Sequence, residues 1–162
     1  NVATQPVENA INQSQYIEQS AVIGHGRKYV TALVTPCFDY LLPWAKAQGI
    51  HYESAADLIR HEKVKTLIID QINEFTKGFA AFERPKKALL FERNWTQERE
   101  EVTPSLKVKV NKLEKNYRKW IDHLYAGFNP EERFTDEKDQ EVLVPISIAP
   151  LEEKKEVSNE GV

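Results

Sequence analysis

The sequence predicts a small α+β domain, in which a sheet of about three strands, one β-hairpin among them, is flanked by helices. Three observations predict it. Two apolar, β-branched runs flank Gly24-His25-Gly26 in "YIEQSAVIGHGRKYVTALVTP", the pattern of two strands joined by a tight turn. Apolar residues recur at helical spacing after Ser54 and again after Asn111. Between those stretches, "KKALLFE" is a short apolar run bounded by charge, as a buried strand requires.

Taken in order, "TQPVENAINQSQ" predicts a short helix. Pro6 fits its first turn, where the missing amide is not needed, and Val7, Ala10 and Ile11 share a face. The hairpin follows, and Pro36 ends its second strand. "FDYLLPWAKAQGI" predicts a helix that stops at Gly49, with Pro43 in its first turns or kinking it. Ser54 with Asp57 forms an N-cap for a helix running to about Phe79, with Val64, Leu67, Ile68, Ile72 and Phe75 on one face. "KKALLFE" is the third strand and "RNWTQEREEVTPS" a polar loop. "LKVKV" alternates strictly, which predicts a short strand with its lysines outward. From Asn111 the period becomes helical, through Leu113, Tyr117, Trp120, Ile121 and Leu124. No internal repeat is visible.

The 162 residues suit one domain. No apolar run approaches the roughly 18 residues of a membrane span, and no secretory leader pattern opens the chain. A single cysteine, Cys37, excludes an internal disulfide and fits a reducing compartment, so a cytoplasmic location is expected. There is no Met and the first residue is Asn1, so a processed start or a piece of a longer protein is expected. The net charge of -3 is uneven: residues 1–128 carry 18 bases and 15 acids, residues 129–162 carry 4 and 10. Phosphate-bearing ligands are drawn to the first part. The expected division is a domain over 1–128 and an acidic, largely disordered tail over 129–162. The apolar "EVLVPISIAP" is the exception within that tail, an extended segment able to dock.

Several chemistries are excluded by pattern. His25, His51, His61 and His123 are scattered without a second ligand at useful spacing, so no metal site is expected. Cys37 follows a strand with no activating base suggested nearby. Six glycines include neither GxGxxG nor GxxxxGK[ST], so the chain has no self-contained nucleotide loop. Six basic residues remain within 107–119: Lys107, Lys109, Lys112, Lys115, Arg118 and Lys119. Lys112, Lys115 and Lys119 lie on the polar side of the last helix, where a solvated face explains them. Lys107 differs. It follows a Thr-Pro-Ser turn at the tip of a polar loop, from which a lysine can swing a point charge onto a developing anion.

"VTPSLKVKV" resembles the C-terminal lysine motif of adenylate-forming enzymes, in the variant typical of long-chain fatty acid–CoA ligases. There the pattern is Thr-Pro-Thr-Leu-Lys, followed shortly by Lys-Arg. "NVATQPVENAI" resembles the segment just after that family's interdomain hinge. "YIEQSAVIGHGRKYVTALVTP", "WAKAQGI" and "FERPKKALLFERNWTQEREEVTPSLKVKV" resemble later segments in the same order. The resemblance covers roughly residues 1–125. Leu106 matches the long-chain branch, where the wider superfamily has Gly. Val110 departs from the usual Arg and leaves Lys109 as a competitor, but the Thr103-Pro104-Ser105-Leu106 register favours Lys107.

The resemblance implies the small mobile C-terminal domain of a two-domain enzyme, excised from its N-terminal adenylation domain and inactive alone. That enzyme would use ATP, Mg²⁺ and coenzyme A to activate a fatty acid through an acyl-adenylate. Peripheral membrane association of the full-length protein would fit. Lys107 would be the adenylation lysine. After a domain rotation, residues 2–6 and the hairpin around Gly24 and Lys28 would line a second face. Lys28, Lys77, Arg84 and Lys86 would be candidates to meet coenzyme A phosphates. Two other classes compete. A basic stretch with Tyr117 and Trp120 interleaved resembles a nucleic-acid surface, though those rings fall on the apolar stripe. A protein-interaction module using the acidic tail is the other.

Overall fold

The computed structural model describes residues 2–136 and 141–148. Helix α1 spans Thr4–Ile11, with Val7 and Ile11 fully buried one turn apart. Strands β1 (Ile17–Ile23) and β2 (Thr31–Pro36) form the expected antiparallel hairpin, with Ile23 opposite Thr31. Helix α2 (Phe38–Ala47) ends before Gly49, whose φ of +71° suits glycine at a helix end. Pro43 lies inside this helix.

The single helix expected from Ser54 to about Phe79 is two helices, α3 (Ala55–Arg60) and α4 (Glu62–Thr76). Ser54 Oγ accepts the Asp57 amide at 3.1 Å, as the spacing predicted. The chain then opens at His61, with ψ 134°, and His61 Nδ1 accepts the Lys63 N–H at 3.1 Å. A second cap inside an unbroken apolar period ends one helix and starts the next. Strand β3 spans Lys87–Phe91. Helices α5 (Val110–Asn116) and α6 (Arg118–Ala126) replace the single final helix. The join at Tyr117 is shallow, because backbone bonds run through it: Tyr117 N–H to Leu113 O and Ile121 N–H to Tyr117 O, both 2.9 Å.

Two further strands follow, β4 (Phe134–Asp136) and β5 (Glu141–Ser147). The sheet therefore has five strands in the order β1-β2-β3-β5-β4, not about three. Only β2 and β3 run parallel; the other neighbours are antiparallel. The chain after residue 128 thus contributes two strands within a region expected to be largely disordered. The docked strand is the apolar segment singled out there. The rest of that expectation falls on residues 137–140 and 149–162, which lie outside the described residues. "LKVKV" is the opposite error. It pairs with the sheet nowhere; its one bridge joins Val108 to Val102.

The central strands are buried on both faces, and their side chains alternate between two cores. Ala32, Val34, Ala88, Leu90, Val142, Val144 and Ile146 meet α1, α3 and α4 through Val7, Ile11, Ile59, Ile68 and Ile72. Leu33, Leu89, Phe91 and Leu143 face α5 and α6 through Leu113, Tyr117, Ile121 and Leu124. Each fully buried Val, Leu, Ile or Phe among them contributes about 1.5–3 kcal/mol. A third cluster of Leu41, Ala45, Ile50, Leu58 and Val64 seats α2 against α3 and α4.

Candidate functional site

The loop from β3 to α5 closes on itself. Val102 bridges Val108, and the Lys109 amide donates to Glu101 O at 2.8 Å, making a two-rung neck. Above it, Thr103 N–H donates to Lys107 O and Leu106 N–H to Thr103 O, both at 2.8 Å. Thr103 Oγ1 accepts the Lys107 amide at 3.0 Å. Leu106 turns the chain at φ +67° with its side chain 72% exposed. This turn, not a lack of β-propensity, stops "LKVKV" from being a strand. The amides that would join a ladder are used within the loop.

Lys107 is thereby held exposed at the tip. Among the described residues its ammonium makes no ion pair within 4.0 Å. It lies over a polar cleft of about 220 Å³ shared with Gln5, Glu8, Asn12 and Glu18. Glu8 is buried and accepts the Val22 amide at 2.7 Å. Burial lifts its carboxyl above the ordinary range, opposed by that hydrogen bond and by the charge of Lys107. A raised carboxyl means that the fold holds this proton more tightly than the unfolded chain does. Stability from this group is full below the ordinary value of 4.5 and falls as pH rises through the raised one. Glu8→Gln keeps an acceptor for Val22. The gap in thermal midpoint, variant minus parent chain, should widen from about pH 4 to about pH 8. A gap that stays constant or narrows would contradict this.

Beneath the neck lies an ionic cluster that pattern reading missed. Arg93 Nη1 and Nη2 each meet one Glu101 oxygen at 2.8 Å, a bidentate pair. Arg93 Nε reaches Glu141 Oε1 at 3.1 Å. Tyr117 Oη donates to Glu141 Oε2 at 2.8 Å and accepts from Arg93 Nη2 at 3.0 Å. Glu101 Oε1 also accepts the Thr96 amide at 3.1 Å. Burial opposes the Arg93 charge, but the Glu101 hydrogen bonds and the two carboxylates outweigh it, so its pKa is raised. Burial lifts the Glu141 carboxyl despite its bond from Tyr117 and the charges of Arg93 and Arg99.

The other candidate residues are spread out. Gly24 opens the hairpin loop where a Cβ would approach Val30 Cγ2 at 3.0 Å, and Lys28 is exposed beyond it. Arg27 is engaged with Asp122 at 2.7 Å and lies over the Tyr125 ring, which ties the loop to α6. The Lys86 amide donates to Val30 O at 2.9 Å, so Lys86 neighbours that loop, and its Nζ donates to Ala81 O at 3.2 Å. Lys77 pairs with Glu74 at 2.8 Å. Arg84 is buried and engaged within the domain. The structure therefore groups Gly24, Lys28 and Lys86, but not all five. Gln5 of the opening segment lines the Lys107 cleft together with Glu18, Gln19 and Ser20 of β1, and the start of α1 lies toward the hairpin end of that strand, because Asn12 Oδ1 accepts from Ser20 Oγ and Glu8 accepts from the Val22 amide.

The remaining chemistry is structural. Among the described residues no group of three or more His, Cys, Asp or Glu could hold a metal ion. Burial, with the charge of Glu18 adding to it, raises the half-buried Cys37 thiol, so it makes a poor nucleophile. Tyr117 is buried and Trp120 stacks on Phe134 at 5.3 Å, so these rings are not presented to bases. Among the described residues no helix is long and apolar enough to cross a membrane.

The chain also matches a known class of domain. Residues 1–129 match the family of AMP-binding enzyme C-terminal domains, and the chain belongs to that family. It is 28% identical over 128 residues to human long-chain-fatty-acid–CoA ligase 1, covering 77% of this chain and 18% of the relative. It is 30% identical over 127 residues to long chain acyl-CoA synthetase 3 of Arabidopsis thaliana, covering 76% and 19%. The chain thus spans about a fifth of the length of these relatives. Among solved structures, it resembles the adenylation domain of a carboxylate reductase from Mycobacterium chelonae, with TM-score 0.62 and 25% identity, over 78% of this chain and 18% of that one. The A-PCP didomain of a carboxylic acid reductase from Segniliparus rugosus, in complex with AMP, shares the fold at TM-score 0.61 and 23% identity, over 77% and 16%.

Proposed function

We propose that this chain is the mobile C-terminal domain of a long-chain fatty acid–CoA ligase, working with an N-terminal adenylation domain that holds the fatty acid and ATP. The observation that carries it is Lys107. It stands exposed on a turn closed by its own backbone, without an ion pair among the described residues, in a chain whose curated relatives are long-chain ligases. In the first half-reaction a carboxylate oxygen attacks the α-phosphorus of ATP and pyrophosphate leaves. Charge shifts onto phosphate and acyl oxygens, and a fixed ammonium stabilises it there. In the second, the coenzyme A thiol attacks the acyl carbon and AMP leaves. Between the two half-reactions the domain rotates, carrying Lys107 away and presenting another face to the thiol. Gly24 and Lys28 belong to the hairpin loop and the Lys86 amide bonds to Val30 at its end, which supports these three as the residues to meet coenzyme A phosphates. Lys77 and Arg84 make contacts within the domain away from that loop, and the Lys86 ammonium would have to leave Ala81 O to reach a phosphate. Among the described residues no cluster of carboxylates could hold Mg²⁺.

The purified 162-residue chain should release no pyrophosphate from ATP and palmitate above a heat-killed control. The same chain joined to its adenylation domain should release it only with fatty acid present. Release by the chain alone, or fatty-acid-independent release by the joined protein, would overturn the reading. A cytoplasmic protein with peripheral membrane association fits the same proposal.

A further inference from the structure

The family match ends at residue 129, yet one buried residue of the lysine-loop cluster comes from beyond it. Phe91 pairs with Leu143 in the β3–β5 ladder. Continuing that antiparallel register by two residues places Arg93 opposite Glu141, on the same face as Phe91 and Leu143. The contacts agree: Arg93 Nε lies 3.1 Å from Glu141 Oε1, an ion pair not aligned as a hydrogen bond, and Tyr117 Oη links the two residues by donating to Glu141 Oε2 at 2.8 Å and accepting from Arg93 Nη2 at 3.0 Å. Arg93 then passes the constraint on, because its other two nitrogens hold both oxygens of Glu101 at 2.8 Å. Glu101 is the neck residue, whose carbonyl accepts the Lys109 amide at 2.8 Å. Glu141 and Glu101 are 4% and 2% exposed, so neither carboxylate can relax into water.

We propose that Glu141 is a positioning residue for the adenylation lysine: through Arg93 and Glu101 it fixes the neck of the Lys107 loop, so the strand that follows the family domain is part of the adenylation machinery. The inference rests on the function proposed above. The geometry has a specific consequence. A loop free to tilt at its neck moves its tip most, and Lys107 is at the tip. A shift of about 1 Å at a reacting group costs up to about a hundredfold in rate. Once the domain has rotated, Lys107 is out of the site, and the neck no longer matters to the chemistry.

Glu141→Gln tests this in the full-length ligase. Gln keeps the size and an acceptor for Tyr117, but removes the charge facing Arg93. Fatty-acid-dependent ATP–pyrophosphate exchange should fall about 10- to 100-fold in kcat, with the KM for ATP unchanged. Thioester formation from supplied acyl-adenylate and coenzyme A should keep its rate. Tyr117→Phe, which removes the hydroxyl beside Glu141 and Arg93 while leaving the ring on Phe91, should show the same selectivity, more weakly. Equal loss in both half-reactions makes the cluster a general brace and overturns the proposal, as does unchanged exchange in both variants. Lys107→Ala is measured alongside. If it slows exchange and the two cluster variants do not, only the positioning role fails. If Lys107→Ala leaves exchange intact, the functional reading itself fails, and this inference with it.

Discussion

Lys107→Ala in the full-length ligase is expected to slow acyl-adenylate formation by about 10²–10³, a loss of about 3–4 kcal/mol of transition-state stabilisation. Thioester formation from supplied acyl-adenylate should be largely spared. The loop geometry explains why the loss should be clean. Lys107 contributes its backbone to the turn, through its carbonyl and its amide, and Ala keeps both bonds. Its side chain is exposed, so truncation opens no cavity. Lys109→Ala is the internal comparison. Its amide forms the neck bond to Glu101, and it stands at the start of α5 with its side chain in solvent. A larger adenylation defect at Lys109 would place the active ammonium two residues on. Equal slowing of both half-reactions by Lys107→Ala would make the lysine structural.

The parts legible in the sequence are those governed by local rules. The hairpin is set by β-branched runs around Gly24-His25-Gly26, and the Ser54 cap by a side chain three residues from its partner. Both are present in the structure. The failures share a different cause. "LKVKV" alternates like a strand, but Thr103 Oγ1 and Glu101 O take the amides a ladder would need. "EVLVPIS" is legible as an extended segment able to dock, but its place in the sheet is not, because that depends on the edge that β3 offers, which lies more than fifty residues earlier in the chain. The Arg93–Glu101–Glu141–Tyr117 cluster draws on residues separated by as much as 48 positions. Single charged residues in polar-looking loops give no sign of such a meeting. The loop's Trp95 and Glu101, both buried, mark it as more than a solvated connection. That burial, however, is visible only once the chain is folded.

Arg93→Ala should destabilise the domain by about 3–5 kcal/mol, more than the loss of a helix cap or an exposed ion pair. Arg93 stands between two carboxylates that are 2% and 4% exposed, and it supplies three of the contacts they receive. Its removal leaves Glu101 with the Thr96 amide and Glu141 with the Tyr117 hydroxyl. Arg99 is too far, at 3.7 Å and 44% exposed, to replace a bidentate partner. Two neighbouring buried negative charges then repel with only the exposed Arg99 to offset them. For a domain of this size the thermal midpoint should drop on the order of 10 °C. The pH dependence follows from Glu141, which burial already lifts while Arg93 pulls it down. Without Arg93 its carboxyl rises further, so the folded variant takes up a proton at higher pH than the folded parent. The variant's deficit should therefore shrink as pH falls and be greatest at neutral pH and above. Urea unfolding of both proteins at about pH 5 and about pH 8 measures it. Adding Glu141→Gln to Arg93→Ala removes one of the stranded charges, and the pair should lose less than the two single losses summed. Additive losses would show that Arg93 and Glu141 do not act on each other, and a deficit below about 1 kcal/mol would show that water replaces the guanidinium freely.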